Sequence, residues 1–449
     1  MSSPPRQKTI LLVNPWIHDF AAYDFWMKPL GLLYLGGLLR SKGFRILLLD
    51  CLELKAIPEE AISGLKFPKQ GEFGRGHFYK EPIPKPEPLR QIPRHFRRYG
   101  IPPPVLKKSI SSFPRPDLIL VTSSMTYWYT GVAETIAFLR LHWPGVPISL
   151  GGIYTTLLPD HARMHSGADY VLPGPWNREK VQALVQILGT GSGWDDEGFP
   201  CWPYPVFDLY PHLPYVCLLT RWGCPFSCTY CASSKLMPGL QSRSPDQVVK
   251  EILYWHKKFG IQDFAFYDDA LLIQPSGHIL PILREIIRLG LACRFHTPNA
   301  LHVKEIDEEM ANVLFQAGVK TLRLGLETAD EKLQIESGGK VSNRDFQRAV
   351  RALKRAGFGG EAIGVYLLAG MPGQRIEELK ESVGYVREAG ARPRIVEYSP
   401  IPGTPLFQKA KNLSSFDLEN EPLFHNNSIL PCRWEKFSWE DFRRLKRAG

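Results

Sequence analysis

Two successive runs of apolar segments, each alternating with amphipathic ones, divide the chain. In the first run, Thr9–Asn14, Arg45–Asp50, Asp117–Thr122, Val146–Leu150 and Tyr170–Leu172 are apolar at nearly every position and read as strands covered on both faces. Helical spacing marks Pro29–Ser41, closed by Gly43, then Val132–His142, and Glu179–Leu188 with Val181, Leu184, Val185 and Leu188 on one face. Strands and helices in this alternation predict a parallel, doubly wound (Rossmann-like) sheet. Such sheets bind ligands at the carboxyl ends of their strands. Here those ends are small or polar: Asn14-Pro15, Thr122-Ser123-Ser124, Gly151-Gly152 and Pro173-Gly174-Pro175. Glycines there either admit a bulky ligand to the backbone or only make tight turns, and the pattern leaves both open.

The second run has strand-like Tyr215–Thr220, Asp263–Tyr267, Ala292–Thr297, Thr321–Leu326, Ala362–Ala369 and Arg394–Ser399. A helix with Ser244 as N-cap and Pro245 at its first position turns Val248, Ile252, Trp255 and Phe259 inward and stops at Gly260. Further helices are predicted over Ile279–Leu289, over Asp307–Ala317 with Met310, Val313, Leu314 and Ala317 inward, after Ser342 with Phe346, Val350 and Leu353 inward, and over Ile376–Ala389. About six βα units are too few to close an eight-stranded barrel. A partial barrel is therefore predicted, its open side covered by residues 400–449, where Phe437–Lys446 reads as a short charged helix.

Two stretches break the alternation. Residues 52–116 carry Pro82, Pro84, Pro86, Pro88, Pro93, Pro102, Pro103 and Pro104 with the basic Arg90, Arg94, Arg97, Arg98, Lys107 and Lys108. Proline at that density excludes core strand and long helix, so a solvated excursion is expected; a lid and an anion-binding arm are the alternatives. Residues 189–214 mix Gly, Pro, Asp and Trp without periodicity and read as an interdomain linker. The expected domains are 1–188 and 215–406, followed by a covering tail, 407–449.

Composition narrows the class. At 449 residues and 44% hydrophobic content the chain has the material for two or three globular domains. No run has the apolar length of a membrane-spanning helix, and Met1–Lys8 leads straight into the first strand without a leader's apolar region, so a cytoplasmic protein is expected. The net charge of +10 fits an anionic partner, such as RNA, a phosphorylated substrate or a lipid surface, and fits plain solubility equally well.

Eight cysteines are too sparse for a disulfide scaffold. Cys51, Cys201, Cys217, Cys293 and Cys432 lack ligand spacing and read as packed small residues. Cys224, Cys228 and Cys231 instead form C-x-x-x-C-x-x-C on the loop leaving the first barrel strand, so all three can turn onto one metal centre. A structural zinc takes four protein ligands, whereas a cubane held by three cysteines keeps one iron open. The other strand ends should converge on that loop: Asp268-Asp269, Thr297-Pro298-Asn299, Glu327-Thr328, Gly370 to Gly373, and Tyr398 through Thr404. Carboxylates at two of these ends suit a ligand's ammonium or hydroxyl groups, and Asn299 is a candidate pocket wall.

Arg221-Trp-Gly-Cys-Pro-Phe-Ser-Cys-Thr-Tyr-Cys231 resembles the signature of the radical S-adenosylmethionine (SAM) superfamily, and the resemblance extends over residues 215–406. It implies a [4Fe-4S] cluster on Cys224, Cys228 and Cys231, with SAM on the fourth iron. It further implies Tyr230 beside the adenine, Asp268 or Asp269 at the SAM amino group, and Glu327 of Leu-Gly-Leu-Glu-Thr at the ribose. Ala369-Gly-Met-Pro-Gly373 and Pro400-Ile-Pro-Gly-Thr404 resemble later motifs of the same family. A doubly wound sheet ahead of such a barrel, with Ser123-Ser124 and then Gly151-Gly152, resembles the cobalamin (B12)-binding module of the B12-dependent branch. The resemblance implies contacts to cobalamin from Ser123, Ser124, Gly151, Gly152 and Gly174. The loop after the first strand lacks Asp-x-His-x-x-Gly, so His18 is not carried over as a cobalt ligand, and Pro173-Gly-Pro-Trp departs from the usual fifth-strand end.

The implied activity is a cobalamin-dependent radical methyltransferase acting on an unactivated carbon of a small-molecule or lipid substrate, fed by an external electron donor such as flavodoxin or ferredoxin. A radical isomerase or cyclase without methyl transfer is the alternative within the family. A methylthiotransferase would need a second cysteine triad in its first domain, which offers only Cys51. From another class, a non-catalytic cofactor- or nucleic-acid-binding module would use the basic insertion to grip phosphates.

Overall fold

The structure is a computed structural model that describes residues 6–57, 62, 64–189, 203–432 and 439–448; Cys201 and residues 190–202 of the expected linker lie outside the described residues. The chain forms two compact units, residues 1–214 and 215–449.

In the first unit, β1 (Thr9–Asn14), β2 (Arg45–Asp50), β3 (Leu118–Val121), β4 (Ile148–Leu150) and β5 (Tyr170–Val171) form a parallel sheet in the order β2-β1-β3-β4-β5. All six β1 residues are buried, which is why the strand reads as continuously apolar. Helices α1 (Leu30–Ser41) and α3 (Tyr129–His142) connect β1 to β2 and β3 to β4, and α4 (Arg178–Leu188) follows β5. The order reverses between β1 and β3, so the ligand-binding switch point of this architecture falls beside Asn14 and Thr122.

The proline-rich insertion is not a solvated excursion. Its strands Lys80–Pro82 and Arg97–Tyr99 make a three-stranded antiparallel sheet with Ile17–Asp19. Its helix α2 (Pro103–Ile110) buries Leu106 and Ile110 in the same cluster as Leu11, Val13 and Val121. The Trp16 indole donates to the Ile101 carbonyl at 2.8 Å. Arg98, expected to be part of a free basic patch, pairs with Glu134 at 2.5 Å and Glu81 at 3.4 Å. Leu106 and Ile110 do stand at helical spacing, but in a helix of only eight residues behind three successive prolines, too short a run for the periodicity to stand out.

Residues 203–214 also pack onto this unit. Val206, Phe207 and Tyr210 are buried, the Tyr210 hydroxyl donates to Asp50 at 2.6 Å, and Arg40 pairs with Asp208 at 2.8 Å.

In the second unit, β6 (Val216–Leu218), β7 (Asp263–Phe266), β8 (Arg294–His296), β9 (Val319–Glu327), β10 (Ile363–Ala369) and β11 (Arg392–Glu397) run parallel in sequential order. The helices between them are α5 (Pro245–Phe259), α6 (Ile279–Arg288), α7 (Glu308–Gln316), α8 (Asn343–Arg355) and α9 (Ile376–Glu388). Six βα units in sequential order make the expected partial barrel. Ser244 and Gln247 close a full capping box on α5, and Gly260 ends it in the left-handed conformation. Phe259, expected inward, is 38% exposed, because at the last position of α5 it lies over Tyr254 and Trp255 and leaves its rim to solvent. The tail contributes α10 (Pro405–Leu413), whose Phe407 and Ala410 pack with Met371, Tyr398, Leu418 and Cys432.

Candidate cofactor site

The cysteine loop begins where two buried networks pin the ends of β6 and β7. Asp268 accepts hydrogen bonds from the Thr220 hydroxyl at 2.5 Å, the Thr220 amide at 3.1 Å and the Arg221 amide at 2.7 Å. Arg243 pairs with fully buried Glu251 at 2.5 Å and donates to the Leu219 carbonyl. A short antiparallel ladder between Arg221–Trp222 and Gln241–Ser242 then closes the loop as a ring. Gly223, at φ +81°, is required there, since a Cβ would meet the Gly239 carbonyl.

Within the ring Cys224, Cys228 and Cys231 are free and half-buried. The Ser233 amide donates to the Cys231 sulfur at 3.4 Å. Among the described residues no three His, Cys, Asp or Glu side chains are gathered around a single-ion position. Three thiols on one loop are the donor set of a cubane that keeps one iron open, whereas a structural zinc takes four protein ligands. Burial pushes the Cys224 and Cys228 thiols up, against which the Lys340 ammonium pulls at Cys228. An open cavity of about 390 Å³ flanks the loop, lined by Ser227, Cys228, Cys231, Ser234, Lys235 and residues 403–405 and 408.

Glu327 ends β9 with its backbone at φ +63°, a left-handed conformation that costs a non-glycine residue roughly 1–2 kcal/mol. The pairing of β9 with β10 shifts between Gly325 and Glu327, which breaks the strand's alternation. Its Oε1 accepts from the Tyr230 hydroxyl at 2.8 Å and from Lys340 Nζ at 2.6 Å. Its Oε2 is buried with no hydrogen-bond partner among the described residues. A carboxylate held by one oxygen, with the other left to accept, is a site for a ligand hydroxyl, so this residue fits the ribose role.

The two adjacent aspartates separate. Asp268 is buried and its carboxylate is engaged by the Thr220–Arg221 backbone, which removes it as a direct ligand contact. Burial pushes it up to about 6 despite those hydrogen bonds. Asp269 is exposed, near Cys224 and Ser233, and is the carboxylate presented at this strand end. Asn299 donates to the Tyr267 carbonyl at 2.8 Å and so braces the turn after β7.

Sequence reasoning missed Lys340, and also His302. Residues 337–340 lie against the cysteine loop: the Thr229 amide donates to the Ser337 carbonyl at 3.1 Å, and a Cβ on Gly338 would stand 3.1 Å from Cys228 Cα. Only the Gly338-Gly339 pair hinted at so close an approach. His302 stacks on Phe226 of the loop at 4.7 Å, and burial lowers it to about 4, so the ring is neutral at pH 7. The loop is tied to the tail as well, through the Leu406 amide and the Thr229 carbonyl at 2.9 Å.

In the first unit, the ends of β3 and β4 form one joint. The Ser123 hydroxyl donates to the Gly151 carbonyl at 2.6 Å, and the Ile153 amide to the Ser123 carbonyl at 2.9 Å. Ser123 is buried and its hydroxyl is used internally, so it shapes the joint rather than facing a ligand. Gly151 and Ser124 are half-buried, Gly152 is exposed, and Met125 and Ile153 are 43% and 39% exposed. A ledge of bare backbone flanked by two apolar side chains suits the broad face of a corrinoid. Gly174 faces Thr156, whose hydroxyl accepts from its amide at 2.8 Å. Both ring nitrogens of His18 are engaged, Nε2 with Glu134 at 2.6 Å and Nδ1 with Thr130 at 3.2 Å.

The second unit thus joins a sequential parallel six-stranded sheet to three thiols on the loop after its first strand. Residues 222–386 match the model of the radical SAM superfamily, so the second unit carries a radical SAM domain. It is 26% identical over 368 residues to an uncharacterised methyltransferase of Pyrococcus horikoshii, covering 75% of each chain. It is 22% identical over 473 residues to the cytidylyl-2-hydroxyethylphosphonate methyltransferase of Streptomyces wedmorensis, covering 90% of this chain and 82% of that one. In fold it is similar to the radical SAM methyltransferase TsrM from Kitasatospora setae, solved with cobalamin and a [4Fe-4S] cluster, with a TM-score of 0.64 at 17% identity. That likeness spans 91% of this chain and 79% of TsrM, so the doubly wound sheet is included in it. No helix among the described residues is long and apolar enough to cross a membrane.

Proposed function

We propose that the chain is a cobalamin-dependent radical SAM methyltransferase that methylates an unactivated carbon of a small-molecule or lipid substrate. The observation that carries this is the pairing of a three-thiol ring with Glu327, a strained strand-end carboxylate whose second oxygen is buried and unengaged. The named methyltransferases among the relatives support the reaction class.

Cys224, Cys228 and Cys231 hold the cluster, Glu327 Oε2 accepts from the SAM ribose, and Asp269 takes the SAM ammonium. Tyr230 contributes its ring to that pocket while its hydroxyl fixes Glu327. Ser124, Gly151, Gly152 and Gly174 form the cobalamin ledge, with Met125 and Ile153 beside it. When bound, the cluster and SAM supply a 5′-deoxyadenosyl radical for hydrogen abstraction and cobalamin supplies the methyl group. The chain's own part is binding, orientation and exclusion of water. An external one-electron donor of the flavodoxin or ferredoxin type is required.

Anaerobic purification with iron, sulfide and cobalt assays tests the cofactors, and SAM products under reductant test the reaction. Expected are a cluster, bound cobalamin, and both 5′-deoxyadenosine and S-adenosylhomocysteine. A cluster that yields 5′-deoxyadenosine without cobalt or S-adenosylhomocysteine would move the assignment to a non-methylating radical enzyme. No cluster at all would overturn the radical reading.

A further inference from the structure

The Lys340 side chain is only 17% exposed, yet it carries a charge into the middle of the candidate site. Its Nζ stands 2.6 Å from Glu327 Oε1 and 5.5 Å from the centroid of the Tyr230 ring, and Tyr230 lies between two of the loop cysteines in sequence. A Cβ on Gly325 would come within 3.2 Å of the same nitrogen, so the ammonium lies over bare backbone. Residues 337 and 338 touch Thr229 and Cys228, which fixes the register of Lys340 against the loop.

We infer that Lys340 is a positioning residue: it holds Glu327 by one oxygen with the other free, and its charge raises the reduction potential of the cluster on the neighbouring thiolates. The inference rests on the radical SAM reading. A cubane that accepts an electron becomes more negative, and a fixed positive charge in a poorly solvated site stabilises that reduced state. Burial would lower the Lys340 pKa, but Glu327 and the thiolates of Cys228 and Cys231 together raise it, so the ammonium does not owe its charge to Glu327 alone. Glu327 itself works against reduction, as an anion near Cys228. The two partners should therefore move the potential in opposite directions, which a merely structural contact would not do.

The test is an anaerobic redox titration of the reconstituted full chain without SAM, following the reduced cluster by electron paramagnetic resonance at matched iron content. Lys340→Met should lower the reduced-to-oxidised ratio at fixed potential by about tenfold, which is about 59 mV for one electron. Lys340→Arg should stay near wild type. Glu327→Gln should shift the potential upward, and this variant decides the matter if Lys340→Met does not load iron. Loaded Lys340→Met or Glu327→Gln protein with a wild-type potential overturns the inference and leaves the radical reading standing. Wild-type protein that takes up no cluster overturns both.

Discussion

Substituting the two adjacent glycines at the end of β4 should have opposite outcomes. Gly152 has φ +104°, and a Cβ there would lie 2.7 Å from the Ser123 nitrogen and nearer still to the Ser123 carbonyl oxygen. Both are backbone atoms of a buried joint, so neither can move cheaply. Overpacking costs about 1–3 kcal/mol and the backbone strain about 1–3 kcal/mol more. Gly152→Ala should therefore cost about 2–6 kcal/mol, against the roughly 5–15 kcal/mol that holds a domain folded. Gly151 has no positive φ, and its Cβ would first meet the Leu172 carbonyl at an ordinary 3.8 Å. Gly151→Ala should be nearly neutral for stability, and an added methyl on the half-buried ledge should weaken cobalamin binding instead. Calorimetry of the full chain gives the first quantity, with a fall of roughly 5–20 °C expected for Gly152→Ala. Equilibrium dialysis against cobalamin gives the second. Equal effects of the two substitutions on unfolding would refute the reasoning.

Three further outcomes are expected. Asp268, raised to about 6 from 3.8, binds its proton more tightly folded than unfolded. Its contribution to stability is full below about pH 3.8 and is lost as pH rises to about 6, a swing of roughly 3 kcal/mol. Asp268→Asn keeps an acceptor for Thr220 and Arg221 and should flatten that slope in pH-dependent denaturation, whereas Asp268→Ala should destabilise throughout. Burial pushes Glu134 up, but hydrogen bonds from His18 and Arg98 hold it well below the usual carboxylate range. Its stabilisation is present above about pH 4.5 and lost on acidification, so Arg98→Met should bring acid unfolding to a higher pH and cost about 1–3 kcal/mol. Lower stability, and not a change in RNA binding alone, is therefore the expected result of neutralising Arg94, Arg97 and Arg98 together. Cys228→Ala should abolish iron and sulfide uptake, while Cys432→Ala, in the tail cluster, should lower the melting temperature and leave the iron content unchanged.

The regular architecture was legible because its segments carry period and caps. β1 and β2 match their predicted ranges residue for residue, and Ser244 to Gly260 is bounded by capping chemistry written in the sequence itself. The cysteine ring was legible because thiol spacing is local. What escaped was set by contacts distant in sequence. Lys340 gains its role from Glu327 and the cysteine loop, and Leu106 and Ile110 from a sheet whose strands lie on either side of the insertion. The aspartate pair shows the same limit. Adjacent residues at a strand end looked interchangeable, and only the turn of the backbone assigns Asp268 to Thr220 and Arg221 and leaves Asp269 outward.

The strain at Glu327 bears on why that residue is there at all. A strand end at φ +63° selected for stability alone would favour glycine or asparagine, which adopt that conformation more readily. The hydrogen bonds from Tyr230 and Lys340 offset the strain, since bonds to a charged acceptor contribute about 1.5–3 kcal/mol each. Yet both fall on one oxygen, and the other is buried without a partner, an arrangement that itself costs about 1–3 kcal/mol. Residues chosen only to support Glu327 would have satisfied both oxygens. A strained backbone, two donors on one side and a desolvated acceptor on the other make sense together when a ligand hydroxyl completes the set, which is what the role proposed for Glu327 at the SAM ribose requires.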